Sequence, residues 1–586
     1  MKARARFLPL APLLLLLGVA PAHAELLFVD QGPAKLPQGC NGSGCWTNYA
    51  RVTDFDGDGD LDLIGVNCSG FFSSPQPQQL VVLANDGAGN FVDASSAFNV
   101  NAAVRQVAFG DIDGDGDLDV YIPSAGAVAS DRLLVQTSPG TFSDEAASRL
   151  PANLASDAGA TRMGDFDDDG DLDLVVTDGY INDSAPPAHF YENDGSGKFT
   201  AAPWTVPTTK DGVNPDDVDL GDVDGDLDLD LLINFHNGQN SLWLNDGAGN
   251  FTDASSKLPP LDGSALHYGP ALCDVDGNGS LDLFVDNAGG DYLEEFALND
   301  GAGTFTDSTD QITGNTPGAD DNIVSCVDVD DDGDFDIVIG SLGTRERVFR
   351  NDAGSFGVIP NAFDGPQTDP TLWMEFGDLD GDKRPDAFTA QGEGNPQIER
   401  VYFANAAVAA DTHAPRVIQV EVPTFSPSAS AVVRFRLSDN TVTDEGPRLA
   451  RAWIKVGATE VDAHFMGGDL FRAVAPATDA ASFDVCATDL AGNSACETHT
   501  AMTGEGGAGA GGGANTGGNG SAGGPPEGGA SANGGSGGSG GAGDGDGGGG
   551  DCSCRVPGAP RDSGAMLVGA LALGLVAARS RRRGAR

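Results

Sequence analysis

Asp54-Phe55-Asp56-Gly57-Asp58-Gly59-Asp60-Leu61-Asp62 puts a carboxylate at every odd position of nine residues, with glycine at positions 4 and 6. The pattern D-x-D-x-D-G-x-x-D returns six more times, with variation, starting at Asp111, Asp165, Asp222, Asp274, Asp328 and Asp378. One copy is an acidic turn. Seven copies at intervals of 50 to 57 residues are a repeat architecture, and that period suits one four-stranded sheet per repeat.

A second motif falls between the aspartate loops: NDGAGNF at Asn85–Phe91, NDGSGKF at Asn193–Phe199, NDGAGNF at Asn245–Phe251 and NDGAGTF at Asn299–Phe305. Weaker copies stand at Thr137–Phe142 and Asn351–Phe356. Asn-Asp-Gly followed by a further glycine supplies the positive φ angles of a tight hairpin turn. Each repeat therefore reads as four short strands. In the first, Tyr49–Thr53 runs into the loop, Leu61–Val66 leaves it, Gln79–Ala84 reaches the turn, and Phe91–Asp93 begins the fourth strand. The last repeat has a third strand at Arg400–Phe403 but no fourth. Leu27-Phe28-Val29-Asp30 matches the missing Phe-x-Asp strand, so the N-terminal segment is expected to complete the last sheet and leave no open edge. The expected fold class is all-β: a seven-bladed β-propeller over residues 25–410.

The spacing of the carboxylates is chemical. Side chains at positions 1, 3 and 5 can converge on one cation, position 7 offers its backbone carbonyl, and a carboxylate at position 9 closes the cage. This oxygen-rich set is what Ca2+ prefers. The expected metal residues are Asp54, Asp56, Asp58, Asp60 and Asp62; Asp111, Asp113, Asp115, Asp117 and Asp119; Asp165, Asp167, Asp169, Asp171 and Asp173; and Asp222, Asp224, Asp226, Asp228 and Asp230. They continue as Asp274, Asp276, Asn278, Ser280 and Asp282; Asp328, Asp330, Asp332, Asp334 and Asp336; and Asp378, Asp380, Asp382, Arg384 and Asp386. The first nine residues of an EF-hand loop are similar, but position 12 here carries no carboxylate (Gly65, Ile122) and strands flank the loop. Four or five unneutralised carboxylates repel one another, so the cation is expected to be structural, its binding energy becoming folding energy. Copies are unequal: Asn278 lowers the charge of one loop, Leu227 replaces the position-6 glycine of another and is expected to strain it, and Lys383-Arg384-Pro385 should make the last loop the weakest binder.

These repeats resemble the FG-GAP and VCBS repeats of integrin-α-like propellers, over roughly residues 26–410. The resemblance implies calcium in β-hairpin loops on one face and a role in adhesion or ligand recognition at a cell surface, without naming a ligand.

The remaining chain divides by composition. Residues 1–24 read as a secretory signal peptide: Lys2, Arg4 and Arg6, an apolar Leu8–Val19, and Ala22-His23-Ala24 before the cleavage point. Residues 411–503 alternate apolar and polar positions (Val417, Val420, Val433, Phe435, Leu437) and resemble a bacterial immunoglobulin-like β-sandwich ending in Asp489-Leu490-Ala491-Gly492-Asn493, expected to act as a spacer. Residues 504–551 are a Gly-rich linker that cannot bury a core. Residues 552–586 carry Cys552 and Cys554, the apolar run Ala565–Ala578 and an arginine cluster. This resembles a myxobacterial C-terminal sorting signal, which implies a processing peptidase and retention at the membrane and cell surface. Nine cysteines in an exported chain permit disulfides. Cys486 and Cys496 are expected to pair, Cys273 and Cys326 are placed to bridge neighbouring repeats, and Cys40, Cys45 and Cys68 can contain at most one pair among themselves.

The 32 Lys and Arg against 87 Asp and Glu give a formal charge of −55, which excludes nucleic acid as a partner. No His pair with metalloprotease spacing, nucleophile elbow or phosphate-binding loop is present. The expected function is a non-enzymatic adhesion or ligand-binding module for an extracellular glycan or protein. Two alternatives stand beside it: a polysaccharide lyase or hydrolase using the propeller cavity, which needs non-loop acids, Arg, His or Tyr converging on the axis, and a passive surface-coat protein.

Overall fold

A computed structural model of the chain describes residues 26–503 apart from 38–45, 68–76, 126–129, 153–154, 156, 181–185, 211, 262–266, 288–291, 316–319, 367–369, 393–396 and 444–445. The signal peptide, Cys40, Cys45, Cys68, the Gly-rich linker and the C-terminal tail lie outside the described residues. Among those described, no helix is long and apolar enough to cross a membrane.

The regular secondary structure of the described chain is almost entirely strand, joined by loops and turns. Each aspartate loop joins the first two strands of its own antiparallel sheet, and the strands follow in sequence order across it. The first repeat is Thr47–Thr53, Asp62–Asn67, Val81–Ala84 and Val92–Asp93. Burial falls from the first strand outwards: every residue of Thr47–Thr53 and Asp62–Asn67 is buried, whereas Val92–Asp93 is exposed on both faces. That gradient fits second strands that are largely apolar, such as Asp62–Asn67 and Asp336–Ser341, and short outer strands that are mostly polar; the buried first strands carry polar residues such as Arg51 and Glu375, which pair with each other. First strands pack on one another in succession. Ala108–Gly110 lies on Ala158–Gly164, that on Gly212–Gly221, then Ala271–Cys273, Asp321–Val327, Thr371–Gly377 and finally Thr47–Thr53. Phe55, Phe98, Phe109 and Phe142 join the first two repeats with ring centroids 4.9 to 6.4 Å apart.

Phe28–Asp30 pairs antiparallel with Arg400–Ala404, Phe28 opposite Ala404 and Asp30 opposite Tyr402. The N-terminal strand is thus the outer strand of the last repeat's sheet. Phe28 is fully buried, stacked on Phe363 at 4.5 Å, and Arg400 binds the Asp30 carboxylate at 2.6 Å. Two pairings lie outside the four-strand scheme. Ile312–Thr313 adds a parallel strand to the sixth repeat, and Gln78–Gln79 pairs with Asn101–Ala102.

Residues 416–503 form two four-stranded sheets around a core that includes Val433, Phe435, Leu437, Ile454, Phe471, Phe483 and Val485. A disulfide joins Cys486 to Cys496 on adjacent strands, and another joins Cys273 to Cys326 between the first strands of two neighbouring repeats. The two-sheet segment does not stand off as a spacer. It packs on the aspartate-loop ends of the repeats: Asp165 N donates to Met466 O (2.7 Å), Asp328 N to Asn440 O (2.9 Å), and Arg448 donates to the carbonyls of Phe376 and Val52, both at 2.8 Å. The apolar residues Met466 and Leu470 belong to the same cluster as Leu229 and Phe166 of the repeats.

Candidate metal centres

The seven loops share one internal wiring. The position-1 carboxylate folds the loop by accepting backbone N–H groups: Asp54 accepts from Gly57 (2.8 Å), Asp58 (3.1 Å) and Gly59 (2.9 Å), and Asp111 and Asp378 repeat the set. The position-9 carboxylate is buried in every copy and accepts from two backbone N–H groups, that of loop position 2 and that of a residue at the end of the third strand, which opens the Asn-Asp-Gly turn where one is present and is Gln136 or Ala404 in the second and last repeats. For Asp62 these are Phe55 (3.2 Å) and Asn85 (2.8 Å).

Between them the carboxylates converge. Ligand atoms of Asp54, Asp56 and Asp58, and of Asp111, Asp113 and Asp115, lie within 4.8 Å of one another. The same holds for Asp165, Asp167 and Asp173, and for Asp222, Asp224 and Asp230. At position 3, one buried oxygen has no hydrogen-bond partner in six loops: Oδ1 of Asp56, Asp113, Asp167, Asp224, Asp330 and Asp380. A buried carboxylate oxygen left unpartnered is costly, and it recurs at one ring position of an all-oxygen donor set. These residues fit a hard divalent cation. In those four loops positions 1 and 3 are brought together with either 5 or 9, and in loop 328–336 Asp328 is grouped with Asp331 of position 4 and His413. Position-7 side chains turn away: a Cβ on Gly87, Gly195 or Gly247 would lie within 2.6 Å of Asp60, Asp171 or Asp228. Arg384 bonds Asp382 at 2.7 Å and the Val408 carbonyl at 2.8 Å. Position 7 can therefore contribute its carbonyl but not its side chain.

Two positions in each loop, not one, are left-handed. Position 4 has φ +72° at Gly57 and Gly114, +59° at Asp168 and +56° at Asp331; position 6 has +96° at Gly59, +69° at Leu227 and +67° at Lys383. Aspartate tolerates this region, but leucine there costs about 1–2 kcal/mol. Leu227 is 3% exposed and shares a cluster with Met466 and Leu470. Burying such a side chain returns about 1.5–3 kcal/mol, so the strain expected at Leu227 is offset by the neighbouring segment.

The Asn-Asp-Gly asparagine does more than turn the chain. Asn299 Nδ2 donates to Leu281 O of its own loop (3.0 Å) and to Val223 O of the preceding repeat's loop (2.8 Å). Asn193 bridges to Ile112, Asn245 to Phe166, Asn351 to Val275, and Asn85 to Leu379 of the last repeat. Five pairs of neighbouring loops are thereby tied together. Sequence reading assigned these asparagines to the turn alone; their presence in five of the six turn copies was the signal available. In the divergent copy Gln136 takes the place and bonds its own loop at Leu118 O. Replacing Asn299 with alanine strands two buried carbonyls. We expect a loss of about 1–3 kcal/mol, read as a lower urea midpoint at unchanged m-value.

Burial, the largest cause, raises the position-9 carboxyls from the ordinary value near 3.8: Asp173 to about 9, Asp336 and Asp386 to about 8, and Asp62, Asp119 and Asp282 to about 7. Neighbouring loop carboxylates push the same way, and the backbone N–H bonds oppose them. Because the folded values are raised, the metal-free fold holds protons that the unfolded chain releases near pH 4. Its stability is complete below that pH and is lost as pH rises through about 7 to 9. A cation bound at these carboxylates would displace those protons, so its affinity would rise with pH. Urea unfolding of metal-free protein should give a lower midpoint at pH 8 than at pH 5, and excess Ca2+ should reverse the order.

A family model described as FG-GAP-like repeat matches residues 54–122, 165–233, 222–285 and 328–389, so the chain carries FG-GAP-like repeats. No curated protein matches it. Among solved structures it is similar to a novel fungal alcohol oxidase of the AA5 family in complex with copper (12% identity, TM-score 0.41, 78% of this chain and 98% of that one). It is also similar to the BP39L lectin from Burkholderia pseudomallei (14% identity, TM-score 0.35, 67% of this chain and 95% of that one).

Proposed function

We propose, from FG-GAP-like repeats whose loops gather carboxylates, that the protein is an exported, surface-tethered, seven-bladed β-propeller with structural Ca2+ in its hairpin loops, followed by an immunoglobulin-like sandwich. It serves as an adhesion or ligand-binding module and not as an enzyme. The observation that carries the metal assignment is the recurring unpartnered Oδ1 at loop position 3. Bound Ca2+ would supply positive charge, and the loop carboxylates and the position-7 carbonyl would supply its oxygen ligands. The chain's own residues do the rest: position 1 shapes the loop, position 9 ties it to the turn, and the turn asparagine ties it to the next blade. Succession of the first strands and the pairing of Phe28–Asp30 with Arg400–Ala404 support a closed ring. The N-terminal leader and the arginine-ended tail support export and retention at the cell surface.

The function is tested on a glycan array and on a panel of extracellular proteins, with Ca2+ present and after chelation. Binding that requires Ca2+ supports the module; no binding in either arm favours the passive coat protein. One observation favours the enzyme reading. Away from the loops, His236 Nδ1 lies 3.3 Å from the Asp216 carboxylate and Arg105 stacks 3.7 Å from the Tyr180 ring. The cavity beside Asp216 and Arg105 is about 20 Å3, room for about one water, and in a larger one of about 100 Å3 Glu375 and Asp217 are paired with Arg51 and Arg162, which ranks this reading second. Polysaccharide cleavage abolished by Asp216→Asn, with Ca2+-dependent stability intact, would restore it.

A further inference from the structure

The seven loops do not share one environment. Around residues 54–62, among the described residues, no basic side chain lies within ion-pair distance of a carboxylate, and Asp58 is exposed. Loops 165–173 and 222–230 lie instead under the two-sheet segment, with Asp165 and Asp222 buried. Arg434 of that segment bridges them: Nη1 is 2.6 Å from Asp228 Oδ1 and 3.5 Å from Asp168 Oδ2. Arg472 Nε is 3.8 Å from Asp168. Arg436, only 2% exposed, is 3.8 Å from Asp222 Oδ2 and donates to the Gly279 carbonyl of the following loop at 3.2 Å.

In these two loops the bridged carboxylates sit at positions 4 and 7, outside the converging set, and among the described residues Asp222 is the one member of that set in loops 165–173 and 222–230 within ion-pair distance of a guanidinium. Arg434 also pairs with Glu421 (3.0 Å) and Arg436 with Asp469 (2.8 Å), so the three arginines less these two acids still bring net positive charge to the loops, without filling the space between positions 1, 3, 5 and 9. Arg434 and Arg436 are poorly hydrated here, so the attraction is less screened than that of a surface pair. An arginine is always charged, whereas a cation leaves when its concentration falls.

We infer that Arg434, Arg436 and Arg472 act as fixed counter-charges that hold loops 165–173 and 222–230, and the segment docked on them, in place when divalent cation is withdrawn, while loop 54–62 depends on the cation alone. The inference rests on the calcium reading above and gives the chain a defined order of response. Loss of Ca2+ opens loop 54–62 before the two arginine-bridged loops and leaves the C-terminal segment attached to those two.

The test is amide hydrogen exchange on the full exported protein, with Ca2+ and after chelation, read on peptides covering each loop. Chelation should cut protection at residues 55–62 by about tenfold or more and change it less than about threefold at 165–173 and 222–230. In Arg434→Gln, protection with Ca2+ should match the wild type, and chelation should now open the two covered loops as well. Should that variant fold poorly, Asp168→Asn with Asp228→Asn removes the same contacts from the other side, at positions outside the metal set, and the same spread of opening is expected. Even opening of all loops in the wild type, or no effect of either variant, overturns the inference while leaving the calcium reading standing. No response of any loop to chelation removes both.

Discussion

Stripping the protein of divalent cations with a chelator lowers its unfolding temperature by about 10 to 20 °C. A site held at a hundred times its dissociation constant stabilises the folded state by about 2.7 kcal/mol, so seven loops amount to about 19 kcal/mol. At about 2.1 cal/mol/K per residue, unfolding the repeat region carries an entropy of roughly 0.8 kcal/mol/K, which converts the full set to a shift of about 20 °C. The lower end applies where the loops under the two-sheet segment keep their fold on arginine charge. Scanning calorimetry with Ca2+, after chelation, and after Ca2+ is restored gives the number. Mg2+ should restore less, because it demands tighter octahedral geometry than these loops of mixed carboxylates and carbonyls offer. An unchanged transition after chelation would mean the loops are held by their backbone hydrogen bonds alone.

Phe28→Ala should cost about 3–5 kcal/mol, the range for removing a fully buried aromatic ring. Phe28 has no exposed surface and stacks on Phe363, and its strand is the outer member of the last sheet. Without it, Arg400–Ala404 presents unpaired N–H and C=O groups to solvent, so the variant should also aggregate at concentrations where the parent stays dispersed. Chemical unfolding and light scattering read the two effects. A destabilisation below about 1 kcal/mol would show that the N-terminal strand is a loose cover and not part of the sheet.

What could be read from sequence was what repeats locally. The aspartate loops declared themselves because their carboxylates all fall within nine consecutive residues, and Phe28-Val29-Asp30 declared itself by copying a motif found elsewhere in the chain. The second link made by Asn85, Asn193, Asn245, Asn299 and Asn351 was hidden because its acceptor lies 76 residues or more away, in another repeat. Nothing local separates an asparagine that only turns the chain from one that also clasps a neighbour. Left-handed backbone at position 4 was masked by aspartate at Asp168 and Asp331, where glycine elsewhere marks it. The arginines of the C-terminal segment were invisible for the same reason as the asparagines. Alternation in residues 411–503 predicts strands and a core, and it does not say that Arg434, Arg436 and Arg472 face the acidic loops.

The central claim is that a divalent cation joins the carboxylates of each loop, and anomalous diffraction from crystals grown with Ca2+ tests it most directly. Peaks about 2.3–2.6 Å from Oδ1 of Asp56, Asp113, Asp167, Asp224 and Asp330 are the predicted result. Maps without such peaks, with those oxygens turned to solvent or bonded to protein N–H groups, would contradict it.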